Sequence, residues 1–245
     1  YFSRNGYVSA SVFRKSLTNY IISSTQTLTQ AVAGELGIAS GSLGAAYDQY
    51  DVTYNFNVPD RGHYNGIELG YAQNFSFLPK PFNTIGLQAN ATFLSVDPIK
   101  TNAVFSNNAA DPNLNAAILD QINNNLQVAA VKKAINVTLS YSVGKFGFNL
   151  TSNYTGRVLK GISRKTVRYS NASPAVNSYF NEYTYQAPRE LIDLRIDYKW
   201  NRKFTPYFQM RNVLGRPIIT QTTNFPINRA EYGDPIYEIG VRGVW

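Results

Sequence analysis

Apolar and polar residues alternate with a period of two along most of this chain. That period places successive side chains on opposite faces of an extended strand. Val8, Ala10 and Val12 alternate with Ser9 and Ser11, and Lys15 continues their polar side in a strand running on toward Ile22. A Gly/Ala/Ser-rich stretch to about Tyr50 precedes a second extended segment ending near Asn57. Ile67, Leu69, Tyr71, Phe75 and Phe77 oppose Glu68, Gly70, Ala72, Asn74 and Ser76. The break Leu78-Pro-Lys-Pro-Phe-Asn83 carries turn chemistry in its two prolines and Asn. Ile85, Leu87, Ala89, Ala91 and Phe93 then oppose Gly86, Gln88, Asn90 and Thr92. After an Asn-rich loop from about Asp97 to Ala130, Ile135, Val137, Leu139, Tyr141 and Val143 form an apolar face. A tight turn at Gly144-Lys145 leads into Phe146, Phe148, Leu150 and Tyr154, opposed by Asn149, Thr151, Asn153 and Thr155. A further long loop reaches about Arg189, and Ile192, Leu194, Ile196, Tyr198 and Trp200 then oppose Asp193, Arg195, Asp197 and Lys199. The turn Asn201-Arg-Lys203 returns a strand through Phe208 and Met210, and a loop from about Leu214 to Gly233 leads to the last strand. There Tyr237, Ile239, Val241 and Trp245 lie opposite Glu238, Gly240 and Arg242.

The pattern predicts an all-β protein of about eight antiparallel strands, each near the roughly ten residues that cross a bilayer at a tilt. Its connections alternate short and long, the arrangement of a transmembrane β-barrel with tight periplasmic turns and long extracellular loops. The parity brings the last strand down to the periplasmic side. Across the segments named from Ile67 to Trp200 the apolar face carries no charge, and a mid-bilayer Arg or Lys there would cost about 2–4 kcal/mol. The opposite face is small and polar, as a wet lumen requires. A soluble β-sandwich is the competing architecture. An alternating terminal strand, however, would leave an unpaired edge in water, whereas a closed barrel pairs it. The Asn-x-Ser/Thr matches at Asn74, Asn90, Asn136, Asn149 and Asn153 place both polar residues on the lumenal side at i, i+2 and read as barrel patterning rather than glycan sites. The expectation is that Ile67, Leu69, Leu139, Leu150, Ile192 and Ile196 share the lipid face, and that Glu68, Asn136, Thr151 and Asp193 share the interior one.

Composition agrees. The chain has 245 residues, a formal charge of +8, 18 Tyr, 14 Phe and no cysteine; its mean hydropathy is −0.26. No segment approaches the roughly 18 apolar residues of a membrane helix. A barrel need not look hydrophobic, because only alternate residues meet lipid, and its aromatics gather in interfacial girdles.

The same residues exclude most catalytic chemistry. One histidine, His63, and no cysteine rule out His/Cys metal clusters and make any Ser-His-Asp arrangement depend on His63, whose place beside Gly62 at a strand entry suits a structural role. Asp111-Pro-Asn-Leu-Asn115 opens like a calcium loop, but Ala116 and Ile122 stand where Gly and a bidentate Glu belong. Asp193 and Asp197 share a face roughly 13 Å apart, beyond glycosidase spacing, and with Arg195 and Lys199 read as a lumenal charge ladder. No catalytic, cofactor or metal site is read. The basic stretch Lys160-Gly-Ile-Ser-Arg-Lys-Thr-Val-Arg168 reads as a solvated loop, with lipopolysaccharide phosphate or an anionic ligand as the alternatives; no nucleic-acid recognition fold accompanies it.

Four stretches, in order, resemble the C-terminal barrel half of TonB-dependent outer-membrane receptors. They are Gly6–Ile21, Tyr64-Asn-Gly-Ile-Glu-Leu69, Arg211-Asn-Val-Leu-Gly-Arg-Pro217 and Tyr237–Trp245. Adjacent Asn65-Gly66, Val213 and Gly215, and the terminal Trp in place of the usual Phe, depart from the pattern. The resemblance implies a roughly 22-stranded barrel around an N-terminal plug. This chain would then be a single partial domain over residues 1–245, its last eight or so strands, with the plug and TonB-contacting segment upstream. It further implies a monomeric receptor in the bacterial outer membrane, set in lipid and lipopolysaccharide. Such a receptor takes up a scarce small-molecule ligand, a siderophore, carbohydrate or similar, with TonB-supplied energy. A complete small eight-stranded barrel of structural role remains the alternative. If the chain is a receptor, ligand contact is expected from Tyr179, Tyr183, Tyr185 and Arg189, whose rings and charge suit a polar, ring-bearing ligand.

Overall fold

The computed structural model of the protein describes residues 5–27, 33–34, 37, 51–99, 112–169 and 176–243. Along the chain, β1 (Gly6–Leu17), β2 (Tyr20–Thr27), β3 (Asp51–Val58), β4 (Gly62–Asn74) and β5 (Gly86–Asp97) come first. A helix, α1 (Pro112–Asn124), precedes β6 (Lys133–Val143), β7 (Phe146–Thr155), β8 (Val158–Tyr169) and β9 (Val176–Gln186). Then follow β10 (Arg189–Tyr198), β11 (Phe204–Arg211), β12 (Ile218–Thr222), β13 (Arg229–Glu231) and β14 (Ile236–Gly243). Val244 and Trp245, the end of the terminal motif, lie outside the described residues.

Eight strands form one antiparallel sheet in the order β1-β4-β5-β6-β7-β10-β11-β14. Each coincides with a segment that the alternation marks as a strand, but the strand read as running on toward Ile22 is broken into β1 and β2, and the extended segment ending near Asn57 is β3, which pairs with β2 outside this sheet. The sheet is open: β1 and β14 are its two edges and do not pair with each other among the described residues. These strands therefore form part of a barrel and do not close one among themselves.

Register carries the alternation across the whole sheet. Leu87, Leu139, Leu150, Leu194, Met210 and Tyr237 are successive cross-strand partners and make one apolar row. The next polar row runs Gln88, Thr138, Thr151, Asp193. The six apolar residues expected on the lipid side share one face, and Glu68, Asn136, Thr151 and Asp193 share the other. On the apolar face Ile67, Leu69, Leu139 and Leu150 are 43–46% exposed, in side chains that water disfavours and lipid would cover. The polar face is cross-linked, as in Asn136 Nδ2 donating to Asn90 Oδ1 at 2.8 Å and Thr138 with Thr151 at 3.3 Å.

Short and long connections segregate to opposite ends. Val143 pairs with Phe146 across a two-residue turn in which Gly144 takes φ +58°, a conformation that glycine reaches without a Cβ clash. Between β10 and β11, the Asn201 Oδ1 accepts the N–H groups of Lys203 and Phe204, both at 2.8 Å. The remaining short link joins β4 to β5. At the other end lie four long connections, and none of them is plain loop. The β2–β3 hairpin joins β1 to β4, α1 lies between β5 and β6, and β8–β9 bridges β7 to β10. β12–β13 links β11 to β14 in a four-stranded sheet of order β13-β12-β9-β8.

Three sequence readings are corrected here. The stretch from Asp97 to Ala130 contains a helix; the one before Arg189 is a hairpin whose strands extend β7 and β10; and Lys160–Arg168 lies in strand β8, not a loop. The helix was readable: Pro112 suits a first helical position, where its missing N–H is not needed, and Ile118, Ile122 and Leu126 recur at helical spacing. They belong to a buried cluster with Ile22, Val58, Val96 and Ile99. This core sits among the long connections, against the ends of wall strands β4 and β5.

Placing arginine at Leu150, midway along β7, should destabilise the intact protein in bilayers by about 2–4 kcal/mol, and Thr151→Arg by far less. Urea unfolding in lipid vesicles measures both. Equal losses would overturn the facing assigned here.

Candidate functional site

The helix α1 docks on the β8–β9 hairpin through polar contacts as well as through Ile118 and Ile122. Asp120, midway along α1, accepts hydrogen bonds from Asn124 Nδ2 at 2.8 Å, Asn181 Nδ2 at 2.6 Å and the Tyr183 hydroxyl. Asn181 Nδ2 also reaches the Ala117 carbonyl at 2.7 Å, and Gln121 Nε2 the Ile162 carbonyl at 3.4 Å. A polar chain extends from this carboxylate toward the wall. Gln127 Nε2 donates to Asn124 Oδ1 at 2.6 Å, and Lys132 Nζ donates to Gln127 Oε1 at 2.6 Å. The two carboxamides are thus aligned between a cation at one end and an anion at the other, which fixes their orientation.

Beside this chain is a pocket of about 450 Å³, in the size range of small-molecule sites, walled by Asn124, Gln127, Lys132, Arg157, Tyr183 and Tyr185. Tyr183 and Tyr185 stack with ring centres 6.3 Å apart. The Arg157 guanidinium lies over the Tyr185 ring at 3.6 Å, close enough for a cation–π contact. Burial pushes the Tyr183 hydroxyl well above its ordinary value, and the hydrogen bond to Asp120 and that residue's charge act in the same direction.

Of the four residues singled out from the sequence, Tyr183 and Tyr185 come together in this pocket. Tyr179, earlier on β9, packs against the buried cluster instead. Arg189 opens β10 and donates to the Arg216 carbonyl at 3.0 and 3.3 Å. Sequence reading missed Lys132, Arg157, Asn124 and Gln127. Their signal was weak, because they lie at element ends that only the fold brings together.

The other candidates resolve into structure. His63 contacts Ser16 Oγ at 3.0 Å and Arg14 Nε at 3.4 Å on the β1–β4 pair. Asp111 of the calcium-like stretch lies outside the described residues, and among those described no group of three or more His, Cys, Asp or Glu is placed to hold a metal. Lys165 of the basic stretch pairs with Glu182 at 3.4 Å. The lumenal charge ladder exists with altered membership. Arg195 binds Asp197 at 2.9 Å and covers the Tyr207 ring at 4.1 Å; Tyr207 donates to Glu238 at 2.6 Å, which also binds Arg211 at 2.7 Å. Asp193 instead accepts the Asn212 backbone N–H at 2.8 Å. There Asn212 turns the chain at φ +52°, its side chain holding the Arg216 N–H at 2.9 Å and the Gly233 carbonyl at 3.0 Å. This is what the Asn of the Arg211–Pro217 motif does.

Two buried phenols should titrate late. Tyr20, raised to about 12 first by burial and then by Asp60 and Tyr64, joins Tyr183. A pKa raised on folding means that the folded state holds its proton more tightly. The associated stability is present in full below the ordinary value of 10.0 and is lost as pH rises through the folded value. A tyrosinate absorbance titration should show these late steps, and Tyr183→Phe should remove one of them. An unchanged late amplitude would refute the Tyr183–Asp120 contact.

The family model described as TonB dependent receptor-like, beta-barrel, matches residues 1–213. No curated protein matches the chain. Among solved structures, the ferripyoverdine receptor of the outer membrane of Pseudomonas aeruginosa bound to ferripyoverdine is similar, with 14% identity, a TM-score of 0.51, and cover of 99% of this chain and 25% of that one. The pyoverdine receptor FpvA from Pseudomonas aeruginosa PAO1 bound to pyoverdine is 15% identical with a TM-score of 0.49, over 100% of this chain and 28% of that one. The FpvAI–pyocin S2 complex is 14% identical with a TM-score of 0.49, over 99% and 26%. At such identities the likeness concerns the fold, and the chain spans about a quarter of the length of these structures. With its open antiparallel wall and a family match over most of its length, the chain belongs to the TonB-dependent receptor-like β-barrel family.

Proposed function

We propose that this chain is the C-terminal part of the barrel wall of an outer-membrane receptor that takes up a scarce small molecule with energy delivered through TonB. The observation that carries this reading is the segregation of the connections. The short-turn end carries only turns, with one 3-10 turn at Phe82–Thr84, while at the other end the β2–β3, α1 and β8–β9 connections hold a buried cluster and an aromatic, basic pocket. A protein that only stiffened a membrane would have no use for a pocket there. A receptor needs one on the side facing the medium. In this reading the long-connection end is extracellular, and the short turns and the C-terminus lie in the periplasm. A plug and a TonB-contacting segment belong to the same protein upstream.

Ligand contact falls to Tyr183 and Tyr185 at the pocket, with Tyr179 and Arg189 holding the strand ends that position them. The apolar face meets lipid, and its flanks meet lipopolysaccharide. On the wall's apolar side, Phe146, Phe148, Tyr141 and Tyr198 form a run of ring contacts between 4.9 and 6.2 Å near the short turns, as suits an interfacial girdle.

Uptake can be tested without knowing the ligand. Spent medium from the parent organism, from a strain lacking this gene and from a strain lacking TonB should be compared by untargeted mass spectrometry. One compound class should be depleted by the parent, left behind by both mutants, and depleted again when the intact gene is restored. Depletion that needs the gene but not TonB would mark a passive pore. Depletion that needs neither would remove the receptor reading.

A further inference from the structure

We propose that the pocket between α1 and the β8–β9 hairpin takes a planar aromatic anion, its carboxylate held by Arg157 and Lys132 and its ring by Tyr185 and Tyr183. This names the ligand class of the receptor proposed above and rests on that reading.

The backbone brings the two cations to the same end of the β6–β7 pair. Ala134 pairs with Thr155 at the end of the β6–β7 ladder. The Gly156 N–H donates to the Lys133 carbonyl at 2.7 Å, and a Cβ built on Gly156 would lie 3.0 Å from the Lys133 Cβ. Continued one step beyond that bond, the same register would set Lys132 opposite Arg157. Like charges directly opposite across a strand pair repel and destabilise it, and here both also line one cavity.

Nothing described neutralises them. The ion pairs among the described residues join Lys165 to Glu182, Arg195 to Asp197, Arg211 to Glu238 and Arg229 to Glu231. Neither Lys132 nor Arg157 takes part, and no carboxylate walls the pocket. The nearest carboxylate along the polar chain, Asp120, already accepts from Asn124, Asn181 and Tyr183.

The unused donors have a direction. Arg157 applies its flat face to Tyr185 and makes no hydrogen bond to any described residue, so the N–H edge of its guanidinium fork stays available. That edge matches a carboxylate through two parallel hydrogen bonds. Stacking restricts the guanidinium plane, which reduces the ordering a ligand must impose. Lys132 gives one N–H to Gln127 and keeps two more. A neutral sugar could lie on the rings and the carboxamides, but it would leave two cations uncompensated. An aromatic carboxylate uses rings and charges together.

The test uses the intact receptor purified in detergent and two probes of the same shape, 2-naphthoate and neutral 2-naphthamide, titrated by calorimetry. The wild type should prefer naphthoate by roughly tenfold or more, the scale of charge-assisted hydrogen bonds. Arg157→Gln and Lys132→Gln should each bring that preference toward unity. Arg157→Lys should retain part of it, which separates a charge effect from misfolding, and heat-modifiable migration on gels reports folding of every variant. Equal binding of the two probes to the wild type, failure of both to bind, or a preference unchanged in both Gln variants would each overturn the inference. The uptake comparison then keeps the two readings apart. If gene- and TonB-dependent depletion persists in the Arg157→Gln, Lys132→Gln double variant, or concerns uncharged compounds, the receptor stands without an anion site. If depletion does not require the gene, the receptor reading itself fails.

Discussion

Backbone hydrogen bonding in hydrocarbon is the constraint on which the rest of this structure depends. Within a bilayer no water satisfies a peptide N–H or C=O, so a strand that spans it must be paired along both sides. Pairing in turn imposes the pleat, and the pleat divides every strand into two chemical faces. The apolar rows through Leu139 and Leu150 and the polar rows through Thr138 and Thr151 are consequences of that single requirement. A slip of one residue in any pair would carry charged residues such as Asp193 and Arg195 to the lipid side. The register of the wall is therefore set much more firmly than local propensity alone could manage.

Because a one-layer wall leaves its apolar side to lipid, it does not build a core. The buried cluster of Ile22, Val58, Val96, Ile99, Ile118, Ile122 and Leu126 forms where the chain leaves the wall and folds against itself. This end behaves like a small water-soluble domain: a helix buries its apolar stripe against strands, and the polar stripe is held by Asp120 and its three donors. The inner face of the wall solves a different problem. Its charges are tied to one another through Arg195, Asp197, Tyr207, Glu238 and Arg211. Gly240 has a role in that arrangement, since a Cβ there would fall 2.6 Å from the Tyr207 ring, which must lie close over the strand to reach Glu238.

Site chemistry arises at the junction of these two regimes. Lys132 stands just before β6 and Arg157 just after β7, at the level where the paired wall gives way to the docked connections. The two cations line one pocket, and the hairpin supplies Tyr185, whose ring Arg157 covers, with Tyr183 beside it. A rigid sheet thus sets the charges, while the connecting elements set the shape around them.

By itself the sequence determined what depends on local period. Alternation marked the strands that form the wall and assigned their faces, without separating from them the β2–β3 hairpin, and turn chemistry marked Gly144-Lys145 and Asn201–Lys203. The order of short and long connections implied which ends they share. These features repeat every second residue or sit within a few residues of one another, so a linear reading recovers them. Only the tertiary structure decided the rest. The helix α1 is stable because Ile118 and Ile122 meet Ile22 and Val58 from distant segments, and β8 and β9 pair across what reads linearly as one polar loop. Tyr179, Tyr183, Tyr185 and Arg189 look like one cluster in sequence, yet packing sends Tyr179 to the core and Arg189 to the Arg216 carbonyl. Lys132 and Arg157 look unrelated in sequence and are brought to one pocket at the end of a strand pair. Period is a property of neighbours along the chain, whereas a site is made by neighbours in space, and pairing converts the one into the other.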